Sequence, residues 1–281
     1  MNAFRKLSNL ILVEQTLFAL PFAYLGILFA EGADFSDWIW ITAALTAART
    51  AGMSFNRVID AEIDAANPRT QNRPVPKGEV QRQTVWLLAI TSCLILIGAA
   101  YALNDLCFYL SFAAIGLLFT YSYFKRFSSS SHFYLGFVEA AAPIGGYLGV
   151  TGEFSMTPFI LGFVIMMWIA GLDIVYSIQD MNFDIKEKLH SIPVTLGKHK
   201  ALTLSAACYI VAVGALIWAG IRAEMAFPYW IGVGGAAIIF LYQQKLARSE
   251  QLAEAILKFF KANQYVSPTL LCGTAVAVAI H

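Results

Sequence analysis

The stretch TPFILGFVIMMWIAGLDIVYSIQDMNFD, residues 157–184, carries no charge from Thr157 to Leu172 and then places Asp173, Asp180 and Asp184 in close succession. Its apolar window, 157–178, reaches the ~20 residues a helix needs to cross a hydrocarbon core ~30 Å thick. Similar windows fall at 10–30, 36–56, 84–103, 107–124, 133–150, 201–220, 227–244 and 264–280. The 281 residues are 58% hydrophobic and only 13% charged, about half the charge of an average soluble protein. These features predict an all-α polytopic membrane protein, one domain over residues 1–281, with about nine transmembrane helices around a central cavity. Strands are excluded, because lipid tolerates them only in closed barrels, whose sequences alternate apolar and polar residues. The first window contains Glu14 and Gln15 and runs on into further spans, so it reads as a span and not as a cleaved signal.

A net charge of +1 conceals an asymmetry. Arg5 and Lys6 precede the first span. Arg57, Arg69, Arg73, Lys77 and Arg82 surround the loop after the second, and Lys125 and Arg126 follow the fourth. Lys186, Lys188, Lys198 and Lys200 follow the sixth, and Lys245, Arg248, Lys258 and Lys261 the eighth. The alternate loops hold only Arg222. The positive-inside rule then places the N-terminus and the charged loops in the cytoplasm and His281 outside, in a cell (inner) membrane. Cys93, Cys107, Cys208 and Cys272 are scattered through apolar windows and read as packing residues. Residues 246–262 have helical apolar spacing with charges opposite, as expected of a helix along the cytoplasmic interface. Pro21, Pro143 and Pro158 need not break their spans, since neighbouring helices can satisfy the freed backbone groups.

Two acidic stretches stand at the ends of apolar runs: NRVIDAEIDAANPRTQNRPVPKG, from Asn56, and DIVYSIQDMNFDIKEKLHSIPVTLG, from Asp173. Asn56, Asp60 and Asp64 recur every four residues and drift only about 80° around a helix, so they form one stripe. Asp173, Asp180 and Asp184 form a second, with Tyr176 at its margin. The charge asymmetry puts both at the cytoplasmic ends of their spans, where they can face each other. Side-by-side carboxylates repel unless a cation joins them. A set of oxygen ligands without Cys or His suits Mg²⁺, which keeps waters and bridges to phosphate oxygens. Arg69, Arg73, Lys77 and Lys188 supply the further positive charge a diphosphate needs. A diphosphate at a membrane face implies a tail in the bilayer, hence a prenyl diphosphate. Overlaying Asp60 and Asp64 on Asp180 and Asp184 also sets Asn56 over Tyr176, a hint of internal duplication.

These two stretches, with nine spans, resemble the paired aspartate motifs and architecture of the UbiA superfamily of intramembrane prenyltransferases, over nearly the whole chain. The resemblance implies that Asn56, Asp60, Asp64, Asp180 and Asp184 hold Mg²⁺ on the diphosphate and that Arg69 and Arg73 contact it. It further implies that Arg49, in AARTAGMSFN, belongs to the substrate pocket and that Tyr121 and Lys125, in YSYFK, line the cleft. Many members carry Asn-Asp where this chain has Asn56-Arg57, which removes one possible acidic ligand. The overall form is most similar to bacterial 4-hydroxybenzoate polyprenyltransferase-like enzymes, a group that includes menaquinone enzymes acting on 1,4-dihydroxy-6-naphthoate.

Arg49 within an apolar span demands a partner or a function: the acceptor's carboxylate, or a structural pair with Glu14 or Glu139. His190 reads as ordering its loop, while His132, His199 and His281 read as loop or terminal residues without a role. The expected partners are a polyprenyl diphosphate, an aromatic acceptor and the bilayer, with no nucleic acid and no obligate protein partner. The expected chemistry is Mg²⁺-assisted ionisation of the prenyl diphosphate followed by ring alkylation. Asp60 and Asp180 are central to it, and Asp173 orients the acceptor hydroxyl or takes a proton. A cation-coupled transporter is the rival of another class, and it predicts ionisable residues near mid-bilayer and broken spans. A CDP-alcohol phosphotransferase also uses Asp-x₃-Asp stripes, but AART lacks its preceding Asp-Gly, and soluble isoprenyl synthases lack the spans.

Overall fold

A computed structural model describes residue 10, residues 13–30 and residues 32–280. The expectations for Arg5, Lys6, His281 and the Glu14 side chain lie outside the described residues. Every apolar window falls on a helix: α1 (Val13–Leu28), α2 (Phe35–Ile59), α4 (Arg82–Leu103), α5 (Asp105–Phe124), the pair α6 (Ser131–Glu139) and α7 (Ala141–Thr151), α8 (Met156–Ser177), α10 (Ile192–Arg222), α11 (Phe227–Ala247) and α13 (Val266–Ala279). Two six-residue helices, α3 (Ala61–Ala66) and α9 (Met181–Lys186), and the amphipathic α12 (Leu252–Asn263) complete the set. No strand occurs among the described residues.

Five segments are long and apolar enough to cross a membrane: α4, α5, α6 with α7, α8 through α9, and α10. The chain is a multi-pass membrane protein. Helix α2 is as long as these but more polar, because it carries Asp37, Arg49, Asn56 and Arg57. Pro143 does accompany an interruption: α6 ends at Glu139 and α7 resumes at Ala141. Proline has no N–H for the carbonyl of Glu139 four residues back. Pro21 sits within continuous α1, and Pro158 in the first turn of α8, where the missing N–H has no partner to lose. Gly197, at φ 76°, breaks α10 near its start, a conformation that glycine reaches without steric penalty.

Lipid tails are as apolar as leucine, so helices associate in a bilayer by close packing and not by expelling water. Glycines make that packing possible here. A Cβ on Gly146 of α7 would lie 2.1 Å from the carbonyl oxygen of Ala23 on α1, and one on Gly26 of α1 would lie 2.1 Å from that of Pro143. A Cβ on Gly136 of α6 would meet the carbonyl of Met166 on α8 at 2.3 Å. Trp168 centres the larger core, edge-on to Phe22 of α1 and beside Phe240 of α11. Its indole N–H donates to Asn263 at 2.9 Å, which ties the end of α12 to α8. Helix α12 seats Ile256 and Phe259 against Val175, Leu202 and Ala247, with Lys258 and Lys261 outward.

The two acidic stretches share one backbone device. Asp60 ends α2 at φ −95°, ψ 10° and starts α3; Asp180 closes the short 3₁₀ turn Ile178–Asp180 that follows α8, at φ −95°, ψ 0°, and starts α9. Each short helix then carries the second aspartate, Asp64 or Asp184, as its fourth residue. The internal echo in the sequence is therefore also an echo of conformation.

Adjacent glycines on α7 test the packing account. Gly146→Ala is expected to lose about 1–3 kcal/mol through overpacking, seen as a lowered midpoint of thermal unfolding in detergent. Gly145→Ala, whose Cβ would meet nothing within 4 Å, is expected to leave the midpoint unchanged or raise it, as alanine is the better helix former. Equal effects would refute the account.

Candidate active site

Where the two breaks face each other they enclose a cavity of about 160 Å³. Asn56, Asp60, Asp64, Arg69, Arg73, Tyr121, Lys125, Asp173, Tyr176 and Asp180 all line it, drawn from α2, α3, the following loop, α5 and α8. Asp184 stands just behind, with its side chain fully buried. Lys188 is exposed at a left-handed turn (φ 55°) and does not line the cavity.

Each of the four motif aspartates holds one cation. Arg73 grips both oxygens of Asp64 at 2.7 Å. Arg69 grips Asp180 with Nε at 2.9 Å and Nη2 at 2.5 Å. Lys125 Nζ lies 2.7 Å from Asp184 Oδ1, and Arg126 Nη2 lies 3.2 Å from Asp60 Oδ1. Arg69 thus crosses from the loop after the first stripe to the second stripe, where it also hydrogen-bonds the Tyr176 hydroxyl and stacks 4.6 Å from its ring. Lys125 and Arg126, neighbours at the end of α5, divide between the stripes. Burial lowers the Arg69 guanidinium, but hydrogen bonds to Asp180 and Tyr176 outweigh it and hold the group above its ordinary value. Burial pushes the Asp60 carboxyl up to about 6, against the hydrogen bond from Arg126.

The sequence missed several contributors. Asn67 donates Nδ2 to Asp180 at 3.0 Å, while its Oδ1 accepts the Arg69 N–H at 2.9 Å. An asparagine before proline is a turn signal, and it could have marked this residue as the one that aims Arg69. Arg126 also donates to the Ile59 carbonyl at 2.8 Å; its position beside Lys125 was the only hint. His132 requires a correction. It is not a loop residue without a role: it is buried in the first turn of α6, with Nδ1 2.7 Å from Asp173 Oδ2. The run SSSSH read as loop, although serine is a common helix N-cap and Ser130 occupies that position. At His190 the backbone N–H bonds the Lys125 carbonyl at 2.9 Å, while the side chain is exposed.

Arg49 does not line this cavity. It lies deeper on α2, hydrogen-bonded through Nη1 to Glu139 beside the α6–α7 break, and its buried Nε has no hydrogen-bond partner. Of the structural pairs considered, the one with Glu139 forms. Arg57 is buried, donates Nε to the Leu10 carbonyl at 3.2 Å, and does not line the cavity. The departure at Asn56-Arg57 therefore falls on a side chain that is taken up by the Leu10 carbonyl and stays out of the cavity.

Among the described residues no three carboxylates, histidines or cysteines converge as a preformed metal site. The donor chemistry nevertheless fits a hard cation, because the ligands left free are oxygens; the histidine that lines the cavity, His132, has both ring nitrogens engaged. Mg²⁺ is commonly held by one or two carboxylates together with substrate phosphates, and paired aspartates at two opposed helix ends match that mode.

A model of the UbiA prenyltransferase family matches residues 19–265. The chain belongs to the UbiA prenyltransferase family. Among relatives of this membrane prenyltransferase, the 4-hydroxybenzoate octaprenyltransferase of Vibrio vulnificus is 28% identical over 280 residues, 97% of this chain and 94% of its own. The apo structure of a UbiA homolog from Aeropyrum pernix K1 is 30% identical with a TM-score of 0.87, covering 94% of this chain and 98% of its own. A UbiA homolog from Archaeoglobus fulgidus, solved with GPP and Mg²⁺, shares the fold at 17% identity and a TM-score of 0.72, covering 98% and 99%.

The pairing predicts unequal lysines. Lys125→Ala strands the buried Asp184 carboxylate, a loss of about 3–5 kcal/mol, and adding Asp184→Asn recovers part of it. Lys188→Ala stays within about 0.5 kcal/mol of the parent. Thermal unfolding in detergent reads all three, and an undisturbed Lys125→Ala protein would contradict the pairing.

Proposed function

We propose that this UbiA-family prenyltransferase moves a polyprenyl group from a polyprenyl diphosphate to an aromatic acid, 4-hydroxybenzoate in the first instance, for quinone biosynthesis. The observation that carries the reading is the match between the cavity and such a reaction. Paired aspartates and four cations stand at one end, and Asp173 and Tyr121 line the same space. The names of the relatives support the acceptor class, and the Archaeoglobus structure was solved with a prenyl diphosphate and Mg²⁺.

Asn56, Asp60, Asp64, Asp180 and Asp184 would hold Mg²⁺. When bound, the ion withdraws charge from the departing diphosphate. Arg69, Arg73, Lys125 and Arg126 exchange their aspartate partners for phosphate oxygens and stabilise the same charge. The allylic C–O bond breaks with its electron pair on diphosphate, a ring carbon of the acceptor forms the new C–C bond, and the ring proton leaves to restore aromaticity. Asp173 is placed to accept the acceptor's hydroxyl proton or this ring proton. Arg49 lies outside the cavity with Nε buried and without a partner, so it would reach the acceptor carboxylate only where acceptor binding opens the space toward Glu139, which keeps Nη1. Water must be excluded, since it would capture the cation.

The orientation follows the basic loops, with the acidic stripes cytoplasmic in the cell membrane. Cysteine labelling on a Cys-free background is expected to reach positions 72 and 186 only from inside; labelling from outside would reverse the assignment.

Transfer is tested by incubating membranes with a polyprenyl diphosphate and a panel of aromatic acids, with products read by mass spectrometry. Asp60→Ala and Asp180→Ala are expected to lower turnover by orders of magnitude in protein that still inserts, and EDTA to abolish it. Arg49→Lys is expected to raise the acceptor KM by roughly ten- to a hundredfold while sparing that of the prenyl diphosphate. Turnover indifferent to EDTA would refute the metal role. Prenylation of 1,4-dihydroxy-6-naphthoate in preference to 4-hydroxybenzoate would reassign the acceptor.

A further inference from the structure

His132 is the buried titratable group that the chemistry above leaves without a task. It sits 2% exposed at the start of α6, and both ring nitrogens are engaged. Nε2 lies 3.2 Å from the backbone N of Ile192, the first residue of α10. A backbone N–H only donates, so Nε2 is the acceptor. That N–H is one of the four at a helix start that no carbonyl of the same helix can satisfy, and His132 satisfies it. The ring proton of the neutral imidazole must then be on Nδ1, which lies 2.7 Å from Asp173 Oδ2. The hydrogen-bond pattern thus assigns one tautomer, with His132 donating to Asp173.

The consequence falls on Asp173. With Oδ2 held by His132, the oxygen left for the cavity that Asp173 lines is Oδ1. A carboxylate free to rotate would offer either oxygen in a range of directions; this one is held at a defined angle. The backbone enforces the spacing. Gly136, one turn beyond His132 on α6, lets that helix approach α8 so closely that a Cβ would collide with the Met166 carbonyl. The Ile192 contact fixes the other side of the ring to the start of α10, at the end of the second acidic stretch.

We propose that His132 is a positioning residue for the prenyl transfer: as the Nδ1–H tautomer it holds Asp173 so that Oδ1 meets the hydroxyl or ring proton of the aromatic acceptor. This rests on the proposed transfer to an aromatic acid and assigns the orientation of its proton-accepting group. His132 also borders the cavity, but with both ring nitrogens engaged it offers no free polar atom to a substrate. The proton passes from the acceptor to Asp173 Oδ1, and no proton need leave the imidazole.

The two nitrogens can be separated by substitution. His132→Asn places an amide N–H near the Nδ1 position, whereas His132→Gln places one near Nε2. The Asn variant is expected to keep kcat within about threefold of the parent. The Gln variant is expected to lose roughly ten- to a hundredfold in kcat, with the KM of the prenyl diphosphate unchanged. A merely structural histidine would make both variants fall together or would lower thermal stability without this split, and either outcome would overturn the proposal. A Gln variant with unchanged kcat would overturn it too. Nitrogen-15 NMR of histidine-labelled protein in detergent supplies a substrate-free readout. The His132 signals should show protonated Nδ1 and unprotonated Nε2, and Asp173→Asn should shift the Nδ1 signal. An Nε2–H tautomer would sink the proposal even if transfer is confirmed. Wild-type protein inactive on every aromatic acid, with the Nδ1–H tautomer present, would instead refute the acceptor reading and with it the assigned task of the dyad.

Discussion

Four carboxylates at the ends of apolar helices must each find a cation, and the rest of the site follows from how that demand is met. An ionised group near hydrocarbon is expensive unless paired. Here the partners come from elsewhere in the chain: Arg73 and Arg69 from the loop after α3, Lys125 and Arg126 from the end of α5. Satisfying Asp180 pulls the first loop across to α8, and satisfying Asp184 and Asp60 pins the end of α5 between the two stripes. The same cations suit a diphosphate, so one arrangement meets two needs: it holds the acids together without ligand and presents positive charge to an anion.

Beneath that polar layer the constraint is close contact. Gly26, Gly136 and Gly146 sit where a single added carbon would collide with a neighbouring backbone carbonyl. The interruption before Pro143 falls between α6 and α7, next to Glu139, which meets Arg49. Deep polar contacts of this kind are also what a transporter shows. Family membership decides for the enzyme here, and the pair then reads as support for a pocket wall.

Much of this was legible in the sequence. Helical phase alone predicted that Asn56, Asp60 and Asp64 share a face, and Asp173, Asp180 and Asp184 another. The alternation of basic loops brought the two faces to one side, and all but Asp184 line one cavity, although each stripe is broken at Asp60 or Asp180 and not carried on one continuous helix. What escaped were residues whose role depends on distant partners. Arg126 and Asn67 make sense only once the loop is known to fold back on Asp180. His132 looked like the end of a serine run, and nothing local shows that Asp173, forty-one residues on, lies beside it. Arg57 was the reverse case. Adjacency to Asn56 suggested a lost ligand, yet its side chain is buried against the Leu10 carbonyl and does not line the cavity.

The repeated break shows why the two halves are alike in backbone and unlike in use. Asp60 and Asp180 adopt nearly the same φ and ψ, and each starts a six-residue helix with the second aspartate in its first turns. A carboxylate at a helix start is favoured by the exposed N–H groups there, so either half can hold such acids at modest cost. What differs is the preceding turn. The first half carries Asn56, whose Nδ2 donates to Asp60 at 2.8 Å and so belongs to the acid array. The second carries Tyr176, clasped by Arg69, and one turn deeper Asp173, backed by His132. The two halves thus carry matching aspartates, while only the second extends a carboxylate, Asp173, deeper along the cavity itself; the deeper polar group of the first half, Arg49, is paired with Glu139 outside it. An intramembrane enzyme that joins two unlike substrates needs that inequality, and in this chain it lies within the few residues that precede each break.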